Sequence, residues 1–330
     1  MNLQNRIKLL VQLGEYLHSN PEEWQWAKQR AFEKNGWFIP QFIDLATNNI
    51  TTQFLQEDKL TNWANHYHLD NNVGGKNIGI VMAGNIPLVG FHDFLSVFIT
   101  GHRQTIKLSS KDDILFPFLI DKITDWESDF KNYVSVAPML KGCDAYIATG
   151  SNNSAMHFDY YFSKYPCIVR RNRSSVAILK GDETMDELKK LSSDIHSFFG
   201  LGCRNVTKIF VPKEYDFVPL LKSFEDYKYF SDHHKYKNNY DYYLTIQIMN
   251  NRFYMTNEHT LLTESESIFS PISQLNYSFY EDVDDLIKSL RESDEIQCID
   301  GVDVPFGKAQ SPGLMDYADG VDTVQFLLTL

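Results

Sequence analysis

The sequence predicts an α/β protein of two lobes, each with a mainly parallel sheet flanked by helices. The chain has 330 residues, of which 43% are apolar and 14% aromatic. Since single hydrophobic cores stop growing at about 250 to 300 residues, a chain of this length is expected to form two cores. From Asn77 onwards, short apolar runs alternate with amphipathic helical patterns. Repeated units of strand, helix and strand build parallel sheets, which gives the fold class.

Charge and composition argue against several classes of function. The net charge of −12 disfavours nucleic acid or an anionic membrane surface as the main partner. Residues 1–10 lack the apolar core of a signal peptide, and no apolar run approaches the ~18 residues of a membrane-spanning helix. The four cysteines show no C-x-x-C spacing. We therefore expect a cytoplasmic protein with reduced thiols, and the sequence is compatible with a homo-oligomer.

The first region, residues 1–72, predicts helices that carry no chemistry. Its first helix has an apolar stripe at helical spacing, formed by Leu3, Ile7, Leu10, Leu13 and Leu17. Asn20 and Pro21 then begin a second helix, as its cap and its first residue. Elsewhere in the chain, the pair His233-His234 has no further ligand at a usable spacing, so no metal site is predicted.

Three units of strand, turn and helix follow one another along the chain. Their strands are predicted at 77–82, 104–108, 133–136, 145–148 and 167–169, and their helices at 88–100, 115–126 and 154–164. Parallel sheets of this kind bind ligands at the carboxyl ends of their strands. The turns 83–87 and 149–153 are therefore candidate ligand loops.

One cysteine, Cys203, lies in a glycine-containing turn between a helix pattern and a strand pattern. The helix pattern is formed by Met185, Leu188, Leu191, Ile195, Phe198 and Phe199. The strand pattern covers 206–211 and stops at Pro212. Gly200 and Gly202 leave the turn with few side-chain atoms, so a substrate and a cofactor could approach the sulfur. The alternative, that Cys203 is a small buried apolar residue, stays open at this point.

Six short motifs, in order, resemble those of the aldehyde dehydrogenase superfamily. AGNIPLVGF resembles the turn that holds an oxyanion-stabilising asparagine, TIKLSS the ribose-contacting loop, and ATGSNNSA the phosphate turn. FGLGCRNVTKIFV falls where the superfamily has its catalytic cysteine. Residues 268–271 and 305–313 resemble the Glu-Ile-Phe-Gly-Pro motif and the glycine-rich return near the C-terminus. The resemblance spans roughly residues 77–330 and is closest to the acyl-CoA reductases of the LuxC type.

This resemblance implies an aldehyde dehydrogenase-like fold with two domains. Residues 1–172 would form a helical N-terminal region and the nicotinamide-cofactor-binding domain, joined by the C-terminal return 301–330. Residues 173–300 would form the catalytic domain that carries the cysteine nucleophile.

The resemblance also implies the roles of individual residues. Cys203 would be the nucleophile, and the Asn85 amide with the Cys203 backbone N–H would hold the oxyanion. The implied cofactor contacts are Lys107, Ser109, Ser110, Thr149, Gly150, Ser151, Asn153 and Phe269. Ser110 replaces the glutamate of NAD-preferring relatives and is followed by Lys111, so NADPH is expected rather than NADH.

One departure from the superfamily pattern indicates the direction of the chemistry. The dehydrogenases have a glutamate that activates the hydrolytic water, whereas here the neighbourhood 169–172 reads Val-Arg-Arg-Asn. An enzyme that keeps water out can reduce an acyl-enzyme instead of hydrolysing it. The predicted reaction is therefore reduction of a fatty acyl thioester, carried by CoA, an acyl carrier protein or a partner enzyme, to the aldehyde. Arg170 and Arg171 either form ordinary ion pairs or lie near a phosphate or CoA.

Two alternatives remain open at the level of the sequence. A reductase of acyl phosphates, of the γ-glutamyl phosphate reductase kind, shares the cysteine and lacks the glutamate. A non-catalytic subunit that binds an acylated partner belongs to a different class, and the joint presence of Asn85, Gly150-Ser151 and Cys203 argues against it.

Overall fold

A computed structural model describes residues 1–72 and 74–330, and the chain divides into two compact units. Unit 1 comprises residues 1–172 and 312–330, and unit 2 comprises residues 173–311. The sequence-based division assigned 301–311 to the first domain, whereas these residues lie in unit 2. The physical reason is that backbone N–H groups of this segment donate to Asp194, a buried residue of unit 2.

The helices of unit 1 precede its sheet, alternate with its strands and close the chain. They are α1 (Leu3–Ser19), α2 (Glu22–Lys34), α3 (Pro40–Asn49), α4 (Glu57–His66), α5 (Phe91–Ile99), α6 (Leu115–Trp126), α7 (Asn152–Phe162) and, at the C-terminus, α12 (Thr323–Leu328). The predicted stripe of α1 is buried at Leu10, Leu13 and Leu17. Packing of this face against the core stabilises the helix more than its intrinsic propensity does.

The sheet of unit 1 is parallel, as predicted. Its strands are β1 (Asn77–Val81), β2 (Arg103–Lys107), β3 (Val134–Val136), β4 (Ala145–Thr149) and β5 (Cys167–Arg170), in the order β3-β2-β1-β4-β5. Ile80 pairs with Ile106 on one side and Ile147 on the other, and all three are fully buried. The strand order reverses between β1 and β4, and ligands of open α/β sheets bind at the carboxyl ends of strands at such a reversal.

Two helices of unit 1 begin at residues other than those predicted. Helix α5 begins at Phe91, whereas the prediction began it at Leu88. Leu88 has a φ of 56°, a left-handed conformation that cannot continue a helix. Helix α7 begins at Asn152 because the Ser151 side chain accepts the N–H of Ser154 and caps it.

Unit 2 contains a second α/β layer structure. Its strands are β6 (Ser174–Ile178), β7 (Val206–Pro212), β8 (Met255–Thr256), β9 (Leu261–Glu264), β10 (Gln274–Tyr280) and β11 (Ile296–Asp300), in the order β11-β6-β7-β10-β9-β8. Its helices are α8 (Met185–His196), α9 (Phe217–Ser223), α10 (His234–Met249) and α11 (Val283–Arg291). All strand pairs are parallel except β8 with β9. This confirms the predicted mainly parallel sheet.

Alternate residues of the central strands of unit 2 enter two different apolar clusters. Ala177 and Ile209 pack in the cluster that contains Leu188 of α8. Val176 and Phe210 pack in the cluster that contains Leu290 of α11. Because successive side chains of a strand point to opposite faces, the sheet is covered by helices on both sides, as a parallel sheet requires.

The described residues, 1–72 and 74–330, contain neither a membrane-spanning helix nor a cluster of metal ligands. No helix there is long and apolar enough to cross a membrane. No three His, Cys, Asp or Glu side chains in these ranges are grouped as metal ligands. His233 instead accepts the backbone N–H of Tyr236 at the beginning of α10.

Candidate active site

The loops that follow β1, β2 and β4 lie at one edge of the unit 1 sheet. The three strands are adjacent and parallel, so their carboxyl ends meet at this edge. Asn85 is half-buried in the turn after β1, Lys107 is the exposed last residue of β2, and Thr149 ends β4. The structure thus brings the predicted oxyanion donor to the same sheet edge as the predicted cofactor contacts of unit 1.

The loops after β1 and β2 are fastened to each other. Gly84 lies so close to Ser109 that an added Cβ would be 2.6 Å from the Ser109 hydroxyl oxygen. The Asp112 carboxylate accepts the Leu88 N–H at 2.8 Å. Burial raises the pKa of Asp112 to about 7, against which the Leu88 hydrogen bond acts. Asp112 therefore supports the turn that carries Asn85, a role that the sequence analysis missed.

The residues around the beginning of α7 fit a dinucleotide phosphate. Gly150 follows β4 directly, and an added Cβ there would lie 2.8 Å from the Ser154 Cβ, so the backbone turns closely onto the helix. Ser151 caps the helix, and Ser151 and Asn153 are exposed. Helix N-termini bind phosphates through backbone N–H groups and the helix dipole. The assignment of these residues, with Ser110 on the exposed loop after β2, to cofactor binding remains a prediction.

Both arginines of the 169–172 neighbourhood form ion pairs within unit 1. Arg170 is 5% exposed, and its guanidinium donates to Asp93 at 2.6 Å and to Thr323 at 2.7 Å. Arg171 is exposed and donates to Asp159 at 2.7 Å. Of the two readings left open above, ordinary ion pairing describes these contacts, and Arg170 ties α12 to α5 and β5.

In unit 2, the turn that carries Cys203 begins where α8 ends. The helix is entered through a capping box of Thr184 and Glu187 and ends at His196. The prediction that the helical pattern continues through Phe198 and Phe199 is wrong, because these residues have φ values of 54° and 56°. A left-handed conformation costs an L-residue about 1 to 2 kcal/mol. The Cys203 turn is therefore entered through strained backbone that other contacts must hold.

Asn205 supplies those contacts. It is fully buried, and its amide nitrogen donates to the carbonyls of Asp194, Ile195 and Ser197 at 2.9, 3.3 and 2.8 Å. Its amide oxygen accepts the Gly202 N–H at 2.8 Å. The Asn205 side chain thus caps the end of α8 in place of further helical N–H groups, which explains why the helix stops. It also fixes the residue directly before Cys203.

A second support reaches Cys203 from β6. The Ser175 hydroxyl donates to the Cys203 carbonyl at 3.1 Å and contacts the Cys298 sulfur at 3.0 Å. Ser175 is fully buried, whereas Cys203 is half-buried. All four cysteines carry thiols. The geometry suits a nucleophile, because a fixed backbone presents a thiol that is not enclosed by the core.

Side chains of strands β7 and β10 hold the loop 266–269, which contains Phe269, through hydrogen bonds to its carbonyls. Lys208 donates to the Glu266 carbonyl at 3.0 Å, and Thr207 donates to the Ile268 carbonyl at 2.7 Å. Asn276 of β10 donates to the carbonyls of Ser267 and Phe269. Strand β7 therefore follows the Cys203 turn and also positions this loop, where the resemblance expects the nicotinamide contact.

Sequence comparisons find no match, whereas structural comparison finds proteins of similar fold. No protein-family model matches the chain, and no curated protein matches it. Aldehyde dehydrogenase 21 from Physcomitrella patens, in complex with the reaction product succinate, is similar with a TM-score of 0.67 and 10% identity, over 98% of this chain and 79% of that one. An NAD-dependent aldehyde dehydrogenase from Sinorhizobium meliloti is similar with a TM-score of 0.66 and 10% identity, over 88% and 68%. The aldehyde dehydrogenase KauB from Pseudomonas aeruginosa gives 0.65 and 12%, over 91% and 72%. The chain therefore has the aldehyde dehydrogenase-like α/β fold.

Proposed function

We propose that this protein is a nicotinamide-dependent oxidoreductase that reduces a fatty acyl thioester to the aldehyde through an acyl-enzyme on Cys203. The observation that carries the proposal is the Cys203 turn, in which Asn205 and Ser175 fix the backbone on both sides of a half-buried thiol. The fold supports the coarser part, oxidoreduction at the aldehyde level. The thioester and the direction of reaction rest on the resemblance and on the residues at 169–172.

In the proposed reaction, the Cys203 thiolate attacks the thioester carbonyl. A bond forms between the Cys203 sulfur and the acyl carbon, the bond from that carbon to the carrier sulfur breaks, and the carrier thiolate takes up a proton. The Cys203 backbone N–H and the Asn85 amide would donate hydrogen bonds to the oxyanion, a role carried over from the resemblance. After hydride reduction of the acyl carbon, the thiohemiacetal on Cys203 collapses, releases the aldehyde and regenerates the thiolate.

The residues that would hold the cofactor are those at the sheet edge of unit 1, and the resemblance adds Phe269 as a nicotinamide contact. When bound, a reduced nicotinamide supplies the hydride. Ser151 and Asn153 at the beginning of α7 would hold its phosphates, and Lys107 and Ser110 would contact the adenosine ribose.

The proposed direction of reaction rests on the residues at 169–172. Hydrolysis of an acyl-enzyme needs a base that activates water. Arg170 is engaged by Asp93 and Thr323, and Arg171 by Asp159, so this segment offers two cations and no carboxylate of its own. The acyl-enzyme is thus expected to survive long enough to be reduced.

The test is intact-protein mass spectrometry after mixing with acyl-CoA in the absence of reduced cofactor. We expect a mass increase of one acyl group, mapped to the peptide that contains Cys203. Addition of NADPH should discharge the adduct and release the aldehyde. A protein that forms no adduct with short-chain or long-chain acyl-CoA, and releases no aldehyde, would contradict the proposal.

The same measurements, repeated with an acyl phosphate as donor, separate the two alternatives. An acyl phosphate reductase would release inorganic phosphate from an acyl phosphate and would ignore acyl-CoA. A non-catalytic acyl-binding subunit would oxidise no NADPH with either donor.

The preference for NADPH gives a prediction at Ser110. A glutamate there would repel a 2′-phosphate and could accept hydrogen bonds from a free ribose 2′-hydroxyl, so Ser110→Glu should weaken NADPH and improve NADH. We expect the ratio of the two dissociation constants to change by at least about tenfold. Binding titration of both reduced cofactors at fixed ionic strength measures this, since a phosphate contact near Lys111 is screened by salt. An unchanged ratio would show that the loop after β2 does not contact the 2′ position of the adenosine ribose.

A further inference from the structure

Two aspartates meet in the interior of unit 2. Asp194 of α8 is 1% exposed, and Asp300 at the end of β11 is fully buried. Within the described residues, Asp300 Oδ2 accepts no N–H or O–H donor, and its neighbour is the Asp194 carboxyl group. Two buried carboxyl groups that hydrogen bond to each other cannot both ionise at low cost. The pair is therefore expected to hold one proton between them.

The surroundings of the pair decide where the negative charge resides. The backbone N–H groups of Gly307, Ala309 and Gln310 donate to Asp194, and such charge-assisted bonds favour the ionised form. Burial raises the pKa of both carboxyl groups, and for Asp300 the neighbouring Asp194 adds to this effect and brings it to about 9. Asp194 therefore carries the charge, and Asp300 carries the proton.

We propose that the Asp194–Asp300 pair is the positioning device of the Cys203 turn. Both supports of the turn start from it. On one side, Asp194 lies in the last turn of α8, and its backbone carbonyl accepts a hydrogen bond from the Asn205 side chain. Asn205 in turn accepts the Gly202 N–H. On the other side, Asp300 lies 3.9 Å from the Cys298 sulfur, which contacts Ser175.

Cys298 and Tyr227, which lie near the pair, keep their protons over the neutral range. Burial raises the pKa of the Cys298 thiol to about 12 and that of the Tyr227 phenol above its ordinary value. Arg204 contributes a positive charge that favours ionisation of Asp300. The proton of the carboxyl pair is thus the one that changes as the pH rises.

Three substitutions of aspartate by asparagine test the device. Asp300→Asn replaces the proton by an amide N–H that can donate to Asp194, so the pair is preserved. Asp194→Asn removes the negative charge that the N–H groups of residues 307, 309 and 310 stabilise, and it places an amide N–H close to those N–H groups. Asp303→Asn, on an exposed residue paired with Arg291, removes one charge elsewhere in the same segment and serves as the control.

The first measurement is hydrogen exchange by mass spectrometry. In Asp194→Asn, peptides covering 198–205 should exchange at least about tenfold faster, while peptides of β10 are unchanged. In Asp300→Asn and Asp303→Asn, exchange of these peptides should stay within about twofold of the wild type. A uniform increase over all of unit 2 in Asp194→Asn, or no increase at 198–205, would overturn the proposal.

The second measurement is thermal unfolding as a function of pH. Asp300 has a raised pKa in the folded state, so its contribution to stability is present at low pH and is lost as the pH rises from about 4 towards 9. Asp300→Asn cannot titrate, so its Tm relative to the wild type should increase by at least about 3 °C between pH 5 and pH 9. The difference between Asp303→Asn and the wild type should not follow this curve. If Asp194→Asn does not fold, the pH series of Asp300→Asn decides the test. A Tm difference between Asp300→Asn and the wild type that stays constant with pH would refute the proposal.

A kinetic arm rests on the proposed function, whereas the two measurements above do not. With acyl-CoA as substrate, Asp194→Asn should lower kcat by at least about tenfold and leave KM unchanged, because it displaces the nucleophile and not a binding group. If the wild type reduces no acyl-CoA but exchange and pH dependence behave as stated, the proposed function fails and the positioning pair stands.

Discussion

Cys203→Ser is expected to form no acyl adduct and to lose at least about 10³-fold in turnover, the order of effect found when a nucleophile is removed. A serine hydroxyl is a far weaker acid than a thiol and supplies no anion near neutral pH. The turn itself should survive, since Ser175 donates to the Cys203 carbonyl and Asn205 accepts the Gly202 N–H, and serine at position 203 keeps both backbone groups. Intact-protein mass spectrometry with acyl-CoA and the rate of NADPH oxidation measure the two effects.

The matched control is Cys167→Ser on β5 of unit 1. Cys167 is also half-buried, and burial raises the pKa of its thiol, so it is a thiol of similar exposure without a nucleophile's surroundings. This variant should retain the adduct and the turnover. Persistence of the acyl adduct in Cys203→Ser, or its loss in Cys167→Ser, would assign the nucleophile elsewhere.

Local patterns were sufficient to predict the sheet of unit 1. The helix predicted at 115–126 is α6, Leu115–Trp126, and the strand predicted at 145–148 is β4, Ala145–Thr149. In both, the periodicity of apolar residues and the flanking turn residues agree. A parallel orientation was expected because a helix between two strands forms the crossover connection that parallel strands need. That order then places the loops after β1, β2 and β4 at one edge without further information.

The end of α8 shows where periodicity fails. Phe198 and Phe199 continue the apolar stripe and are buried, so the pattern described their burial but not their backbone. Their conformation depends on the Asn205 side chain, which reaches back from beyond the turn. A contact of one polar side chain with several carbonyls leaves no periodic signal.

The carboxyl pair was missed for a related reason, although the sequence holds a trace of it. Asp194 comes three residues after Leu191, on the apolar stripe of α8, and Asp300 directly follows Ile299 in β11, where Ile296, Cys298 and Ile299 are buried. Acidic residues in buried positions of a pattern require a partner. Which partner each has depends on β6 lying between β7 and β11, and that pairing was not predicted.

Asn205→Ala is expected to cost about 3 to 4 kcal/mol of unfolding free energy, since a buried hydrogen bond contributes about 1 kcal/mol. Four bonds are lost, one to Gly202 and three to carbonyls at the end of α8. The left-handed Phe198 and Phe199 then lose the contact that offsets their strain. Against a typical total of about 5 to 15 kcal/mol, the protein should still fold. Denaturant unfolding measures the loss, and the rate of Cys203 alkylation, followed on its own peptide, reports the turn.

Asn276→Ala is the control that separates the turn from stability in general. Asn276 is also buried and makes four hydrogen bonds, to the carbonyls of Ser267 and Phe269 and from Thr263 and Gln274. The two variants should therefore lose similar free energies of unfolding. Only Asn205→Ala should change the alkylation rate of Cys203, by at least about tenfold, because only Asn205 holds the residue before it. Equal alkylation rates in the two variants would mean that Asn205 stabilises unit 2 without positioning Cys203.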